Sequence, residues 1–472
     1  MKIVDLEIKG ITANSKEIKK GFIFVAIKGN RQDGNRFIQE AIKRGAGIIV
    51  VEKKAPQIKA AAPKVIFLVV NDCRKFFAQI THKFYGAPSD KIKVIGITGT
   101  NGKTTISYLI EAIANESGQA CGVIGTINYR YKDKIIAAKN TTPGPGQLQG
   151  LLKKMHLQKI KYCAMEVSSH ALDQERVSGI NFSHAIFTNL TQDHLDYHKN
   201  FENYFLAKAK LFRALPQNSY AIINNDDKYG NRIRQLTKAQ VLTYGIKKNS
   251  DVMAKDITFG MQSTEFSLVS PKTNARIKTS LVGHHNIYNL LAAITWGLSE
   301  KLSLRRIKSA IEKFKNVPGR LEKVSCSKGF NIFVDYAHTP DALFNVIGAL
   351  RPLVKGKIVV VFGCGGERDK LKRPLMGNVV TQLADYAIIT SDNPRSENPD
   401  QIIKDIRKGI QKNNYCLVPQ RHAAIRKGLS LINKGDCLLI AGKGHEEYQV
   451  LKNKVLKFSD RKVAQECLKL MK

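Results

Sequence analysis

The chain of 472 residues reads as an α/β protein built from three units, and three observations predict this. Its length suits about three domains. Short apolar runs alternate with helical periods, the pattern of parallel sheets covered by helices. Several of those runs end directly in glycine-rich or polar loops, as happens where ligands bind beyond the carboxyl ends of parallel strands. With 43% hydrophobic residues the chain can fill complete cores. No stretch approaches the ~18 apolar residues of a membrane span, and the start "MKIVDLEIKG" lacks the apolar segment and cleavage site of a signal peptide. A cytoplasmic protein with no membrane partner is the expectation.

The first unit, residues 1–89, consists of the runs "GFIFVAIKGNRQDG", "GAGIIVVEKKAP" and "KVIFLVVND", and closes at the break "YGAPSDK". The second, residues 90–319, opens with the strand "KVIGI", the turn "GTNGKTT" and the run "ISYLIEAIANES". In that run Ile106, Leu109, Ile110 and Ile113 repeat at helical spacing. The usual phosphate-loop spacing would put a glycine where Ile97 stands, so only G-x-x-G-K-T-T survives, yet strand, tight turn and helix remain in register. The third unit, residues 320–472, follows Pro318-Gly319. Its runs "KIVVVFGCGGERD", "YAIITSDNPR" and "DCLLIAGKGHE" predict a doubly wound sheet with its site at the strand carboxyl ends.

The formal charge of +37 raises nucleic-acid binding as a reading from a different class, an ATP-dependent nucleic-acid-binding protein. The lysines are scattered, however, from "KEIKK" to "VLKNKVLK", with no basic helix, arginine-rich arm or interleaved aromatics. Nucleic acid is therefore not the expected partner, and the field suits an anionic small substrate equally well. The eight cysteines stand singly, with no C-x-x-C pair, so reduced and mostly buried thiols are expected rather than disulfides or a zinc site.

Chemistry concentrates in a few stretches. Backbone N–H groups of Gly99, Thr100, Asn101, Gly102, Lys103 and Thr104 can cradle phosphate oxygens at a helix N-terminus; Lys103 can reach the outer phosphates and Thr104 can offer a hydroxyl to Mg2+. In "KYCAMEVSSH" an apolar strand ends in Glu166, where a further Mg2+ ligand belongs, although such a glutamate alone is more often a surface residue. "NLTQDHLDYH" sets His194 and His198 four apart, with Asp193 just before them and Asp196 between them. The H-E-x-x-H pattern is absent, and spacing alone favours loop histidines over a metal site. "VDYAHTPDAL" places Asp335 and His338 after an apolar strand, while "GERDKLKRP" and "DNPR" offer arginines that could grip a carboxylate or phosphate.

Taken together, "GTNGKTT", "NTTPG", "EVSSHALDQERV", "NLTQDHLDYH", "YFLAKAKLF", "GHHNIYNLLAA", "VPGRLE", "DYAHTPDAL", "GCGGERDKLKRPLMG", "DNPR" and "AGKGHE" resemble the Mur ligases of peptidoglycan synthesis, in order and over nearly the whole chain. The resemblance implies a three-domain architecture: a precursor-binding first domain, a central P-loop ATPase-like parallel sheet and a Rossmann-like last domain. It also implies a monomeric, ATP- and Mg2+-dependent ligase. ATP would phosphorylate the D-glutamate γ-carboxylate of UDP-N-acetylmuramoyl-L-alanyl-D-glutamate, and the amine of meso-diaminopimelate would displace the phosphate. A sister ligase adding L-lysine, or one resembling folylpolyglutamate synthase, is the alternative; "NTTPG" and "DNPR" do not support the folate reading.

Position by position, the resemblance implies an ATP site of Gly99 to Thr105 with Asn286, Asn289 and Arg320, and catalytic roles for Lys103, Lys208, His194, Asp335 and His338. Metal ligands would be Thr104, Glu166, His194 and Lys208, the last as a carboxylated lysine; the frame A-K-x-x-L-F selects it over Lys210. The precursor would meet Ala13, Ser15, Asn30, Arg31, Gln32, Asn140, Thr141, Thr142, Ser168, Gln174 and Arg176. Diaminopimelate would meet Arg368, Asp392, Asn393, Pro394, Arg395, Gly442 and Glu446.

Overall fold

The computed structural model describes every residue except 1, 4–5, 30–31, 53–64, 262, 272, 453 and 472. Asn30 and Arg31 thus lie outside the described residues. The architecture is α/β in three sheet-centred parts. In the first, strands Gly10–Thr12, Phe22–Val25, Ala46–Glu52 and Ile66–Val70 form a four-stranded parallel sheet in sequence order. Helix Cys73–Phe84 follows, its N-terminus capped by Asp72, whose carboxylate accepts from the amides of Arg74 and Lys75.

The central sheet has eleven strands. Strand Lys93–Thr98 lies between Tyr162–Glu166 and Phe182–Phe187 and is parallel to both, which brings the ends of all three strands to the loop that follows Thr98. Neighbouring residues alternate between two apolar layers. Val94, Met165, Phe187 and Ile223 face one; Ile95, Ala164, Ile186 and Ile222 face the other, under helices Lys103–Glu116 and His284–Ser299. Burial on both faces explains why these strands read as continuous apolar runs.

The parallel pattern expected from the sequence is not the whole sheet. Antiparallel strands Asn128–Tyr131 and Lys134–Ala137 extend one end, and Thr264–Ser270 with Thr273–Thr279 the other. Thr264–Ser270 alternates buried with half-buried residues, because only one face is covered. That polar alternation hid it among the loops.

The last sheet has the order Glu322–Val324, Asn331–Asp335, Cys437–Ala441, Ile358–Phe362, Tyr386–Ile389, Tyr415–Leu417; the first pairs antiparallel and the rest parallel. Four strand carboxyl ends therefore deliver Asp335, Phe362, Ile389 and Ala441 side by side, each followed by one of the polar loops. All eight cysteines are free thiols, six of them buried. Among the described residues no helix is long and apolar enough to cross a membrane.

Candidate active site

The phosphate loop is held open by its glycines. Gly99 and Gly102 have φ of +149° and +91°, and a Cβ at either would collide with Thr188 Oγ1 or Asn289 Oδ1. Asn189 takes the Asn101 amide on its side-chain oxygen at 2.9 Å, which fixes the turn from the neighbouring strand. Gly102 carries no side chain to cap helix Lys103–Glu116, so the first-turn amides stay available to an anion. Lys103 Nζ donates to the carbonyls of Gly99 and Thr100 at 2.9 and 2.8 Å. Burial lowers its pKa, against which the Glu166 charge pulls upward.

Glu166 is only 1% exposed. Its Oε2 accepts from the hydroxyls of Thr104 (3.0 Å) and Thr126 (2.9 Å), and its Oε1 from the Thr126 amide at 2.9 Å. A buried carboxylate beside two hydroxyls is an all-oxygen donor set, which fits Mg2+. Lys208, 2% exposed on helix Phe201–Arg213, donates to the same Gly99 carbonyl at 2.9 Å. Burial, then the nearby Lys103 charge, pushes its pKa well below the usual lysine value. Lys210 instead points to Glu175 at 2.6 Å.

His194 sits in the left-handed region at φ 55°, at the start of the short helix Leu195–His198. Its Nε2 lies 3.3 Å from Asp193, and burial drives the imidazole pKa down to about 3. His170 packs edge-on against its ring at 4.7 Å, and His198 donates to or accepts from Ser169 at 2.9 Å. The described residues contain no cluster of three or more His, Cys, Asp or Glu side chains able to hold a metal ion.

The last domain lies against this centre. Arg320 Nη2 donates to Thr104 Oγ1 at 3.1 Å, Asp341 accepts from the Asn101 side-chain amide at 2.7 Å, and Lys372 stands 3.9 Å from Asp193. His338 Nδ1 donates to the Tyr336 carbonyl at 2.8 Å. Asp335 accepts from the Leu321 and Ala337 amides at 2.6 and 2.7 Å; burial raises its pKa, although Arg320 opposes this.

Two cavities meet at Gly102, Thr104, Arg320 and His338. One, of about 300 Å³, is bounded by Asn286, Asn289, Asp335 and Asp341. The other, of about 390 Å³, joins Lys103, Glu166, His194 and Lys208 to Asn140, Thr141, Ser168, Arg368, Asp392, Asn393, Arg395, Gly442 and Glu446.

At the far end of that larger cavity, Asn393 donates to Glu446 at 2.8 Å and its oxygen accepts from Lys443 Nζ at 3.0 Å. Gly442, at φ 115°, leaves no room for a Cβ, which would stand 2.6 Å from Asp392 Oδ2. The Arg395 guanidinium is steadied through Nη1 by the Gly366 carbonyl at 2.6 Å, and the Pro394 backbone packs against Gly366. One arginine of "GERDKLKRP" is corrected: Arg373 turns away into the domain, to Glu397 at 2.9 Å and Asp405 at 3.1 Å. Its neighbour Lys372 lines the cavity instead. Sequence reading also passed over Asp341, Tyr336 and Lys443; the last stands between two glycines at a strand end, which was a usable signal.

Residues assigned to the precursor spread across two places. Thr142 Oγ1 donates to the Glu166 carbonyl at 2.8 Å, and Arg176 bonds Gln174 Oε1 at 2.7 Å and the Thr142 carbonyl at 3.0 Å. In the first domain Ser15 donates to Glu40 at 2.8 Å; Ala13 is half-buried and Gln32 exposed.

Three family profiles match the chain: "Mur ligase family, catalytic domain" over residues 7–85, "Mur ligase middle domain" over 97–297 and "Mur ligase, glutamate ligase domain" over 319–444. The UDP-N-acetylmuramoyl-L-alanyl-D-glutamate--2,6-diaminopimelate ligase of Clostridium botulinum (type A) is 44% identical over 98% of this chain and 95% of that protein. The chain belongs to the Mur ligase family. A ligase of the same name from Aquifex aeolicus is 45% identical over 98% of this chain and 94% of its own. A solved structure bearing that name superposes with a TM-score of 0.70 at 31% identity, covering 98% of this chain and 95% of the other. This Mur ligase thus shares its three-part architecture with them from end to end.

Proposed function

We propose that this Mur ligase joins meso-diaminopimelate to the D-glutamate of UDP-N-acetylmuramoyl-L-alanyl-D-glutamate at the expense of ATP, in cytoplasmic peptidoglycan precursor synthesis. The observation that carries the reading is the single cavity running from the phosphate loop and Lys208 to Asn393, Arg395 and Glu446. It offers a phosphate cradle at one end and groups for a charged amino acid at the other. Residues 1–89 and the start of the central domain hold the precursor, residues 90–319 hold ATP, and residues 320–472 bring the amino acid.

The chemistry follows from the carboxylate being a poor electrophile. A γ-carboxylate oxygen attacks the terminal phosphorus of ATP, and the bond to the ADP oxygen breaks. The diaminopimelate amine then attacks the acyl carbon, releasing phosphate and a proton. Lys103 and the loop amides balance the charge shared by the outer phosphates. Thr104 and Glu166 would hold one Mg2+, and His194 with carboxylated Lys208 a second, supplying further neutralisation. Asn286 and Asn289 border the nucleotide, with Arg320, Asp335 and His338 closing from the last domain.

Arg395 decides the amine. Diaminopimelate differs from lysine by a second carboxylate, and a guanidinium pairs with it bidentately while lysine would leave the cation unpaired. Ligation assays with the two amines side by side test this. Diaminopimelate should be strongly preferred, and Arg395→Ala should lower its kcat/KM by more than about tenfold with ATP and precursor constants little changed. Equal use of both amines by the unmutated enzyme would overturn the Arg395 assignment and leave a Mur ligase without this specificity.

A further inference from the structure

A third cavity, of about 420 Å³, lies between the first and central domains, lined by Ile27, Gly29, Arg74, Phe77, Gly144, Pro145, Gln174 and Arg176. Its walls come from helix Cys73–Phe84 on one side and from the loop after Asp173 with the start of helix Pro145–Leu157 on the other. Two guanidiniums share it. Arg74 is placed by Asp72, which caps its helix, and its Nη2 donates to the Lys28 carbonyl at 2.9 Å. Arg176 is tied to Gln174 and to the Thr142 carbonyl.

Among the described residues neither arginine forms an ion pair with a carboxylate; their partners are neutral oxygens. Burial lowers the Arg176 pKa, and the Arg74 charge lowers it further, so the two cations sense each other across the cavity. Two like charges facing one cavity without a carboxylate favour an anionic occupant, although the Tyr197 and Tyr129 phenols beside Arg176 act against the Arg74 charge. Neither the apolar residues nor the glycines of the lining offer another role for the pair.

We propose that Arg74, which no reading of the motifs selected, is a precursor-binding residue that pairs with Arg176 to seat the diphosphate joining uridine to the sugar. This rests on the precursor assigned above. A diphosphate presents several anionic oxygens on two centres, which matches two guanidiniums approaching from opposite domains better than the single charge of a peptide carboxylate does. Arg74 thereby ties the first domain to the central one only when the nucleotide-sugar is present.

The test compares UDP and uridine by calorimetry on the whole protein, with ligation kinetics alongside. The unmutated enzyme should bind UDP at least about tenfold more tightly than uridine, because only UDP carries the diphosphate. Arg74→Gln should erase most of that difference, leave uridine affinity unchanged, and raise the precursor KM about tenfold without altering kcat or the ATP and diaminopimelate constants. Arg74→Lys should restore part of the UDP preference. Retention of the full UDP preference in Arg74→Gln would overturn the proposal, as would equal loss of UDP and uridine binding, which marks a purely structural residue. A protein that binds UDP in this Arg74-dependent way yet ligates nothing would leave the seat standing and remove the ligase reading.

Discussion

Lys103→Ala is expected to lower ligation by about two to three orders of magnitude or more while the protein stays folded. The ammonium now bridges two loop carbonyls, Gly99 and Thr100, and forms no ion pair with a carboxylate among the described residues. On the proposed reading it is the cation that meets the outer phosphates of ATP. Transfer of the terminal phosphoryl group spreads negative charge over its oxygens, and a fixed cation in a water-poor cavity stabilises that charge without reorganising. The loop itself does not rely on Lys103, because Gly99, Gly102 and the Asn189 contact set its path. Single-turnover phosphoryl transfer to the precursor should therefore collapse, while thermal unfolding shifts little. A mutant with near wild-type turnover would remove the loop from the reaction.

Where the sequence was informative, the reason is local chemistry. Gly99, Gly102 and Lys103 could be read because a phosphate turn demands backbone space and a cation within a few residues, and the helix behind them announces itself through Ile106, Leu109, Ile110 and Ile113. Strands buried on both faces were equally plain. The edge strands were not, since Thr264–Ser270 alternates and looks like any polar segment. Asp341 and Lys372 escaped for another reason: their partners Asn101 and Asp193 lie some 240 and 180 positions away and meet them only across domains. Arg373 shows the converse error. A basic residue in a polar loop suggests a ligand site, yet this one is spent on Glu397 and Asp405 inside its own domain. Arg74 lay in plain view on a helix, but its unpaired state appears only once Arg176 stands opposite.

Lys208→Ala is expected to be inactive and partly rescued by added short carboxylic acids, whereas Lys210→Ala should remain active. The two lysines lie on one helix with opposite surroundings. Lys210 is a half-buried cation paired with Glu175, a link of modest energetic value. Lys208 is buried beside a second lysine, and both point at the carbonyl of Gly99. Burial and the Lys103 charge hold its pKa well below the usual lysine value, so the amine favours its neutral form as pH rises through that lowered pKa. A neutral amine is the form that adds CO2, forming an N–C bond and releasing one proton to give a carbamate. The change turns a neutral amine beside Lys103 into an anion that attracts it, and supplies oxygens where His194 alone offers one nitrogen. Hence the rescue: a free carboxylate can occupy the space left by the truncated side chain and restore the missing charge. Mass spectrometry cannot be the sole readout, because carbamates lose CO2 in acid, but 13C-labelled bicarbonate followed by NMR should show one carbamate carbon in the wild type and none in Lys208→Ala. Activity in Lys208→Ala without added acid, or loss in Lys210→Ala instead, would move the modified lysine out of this position.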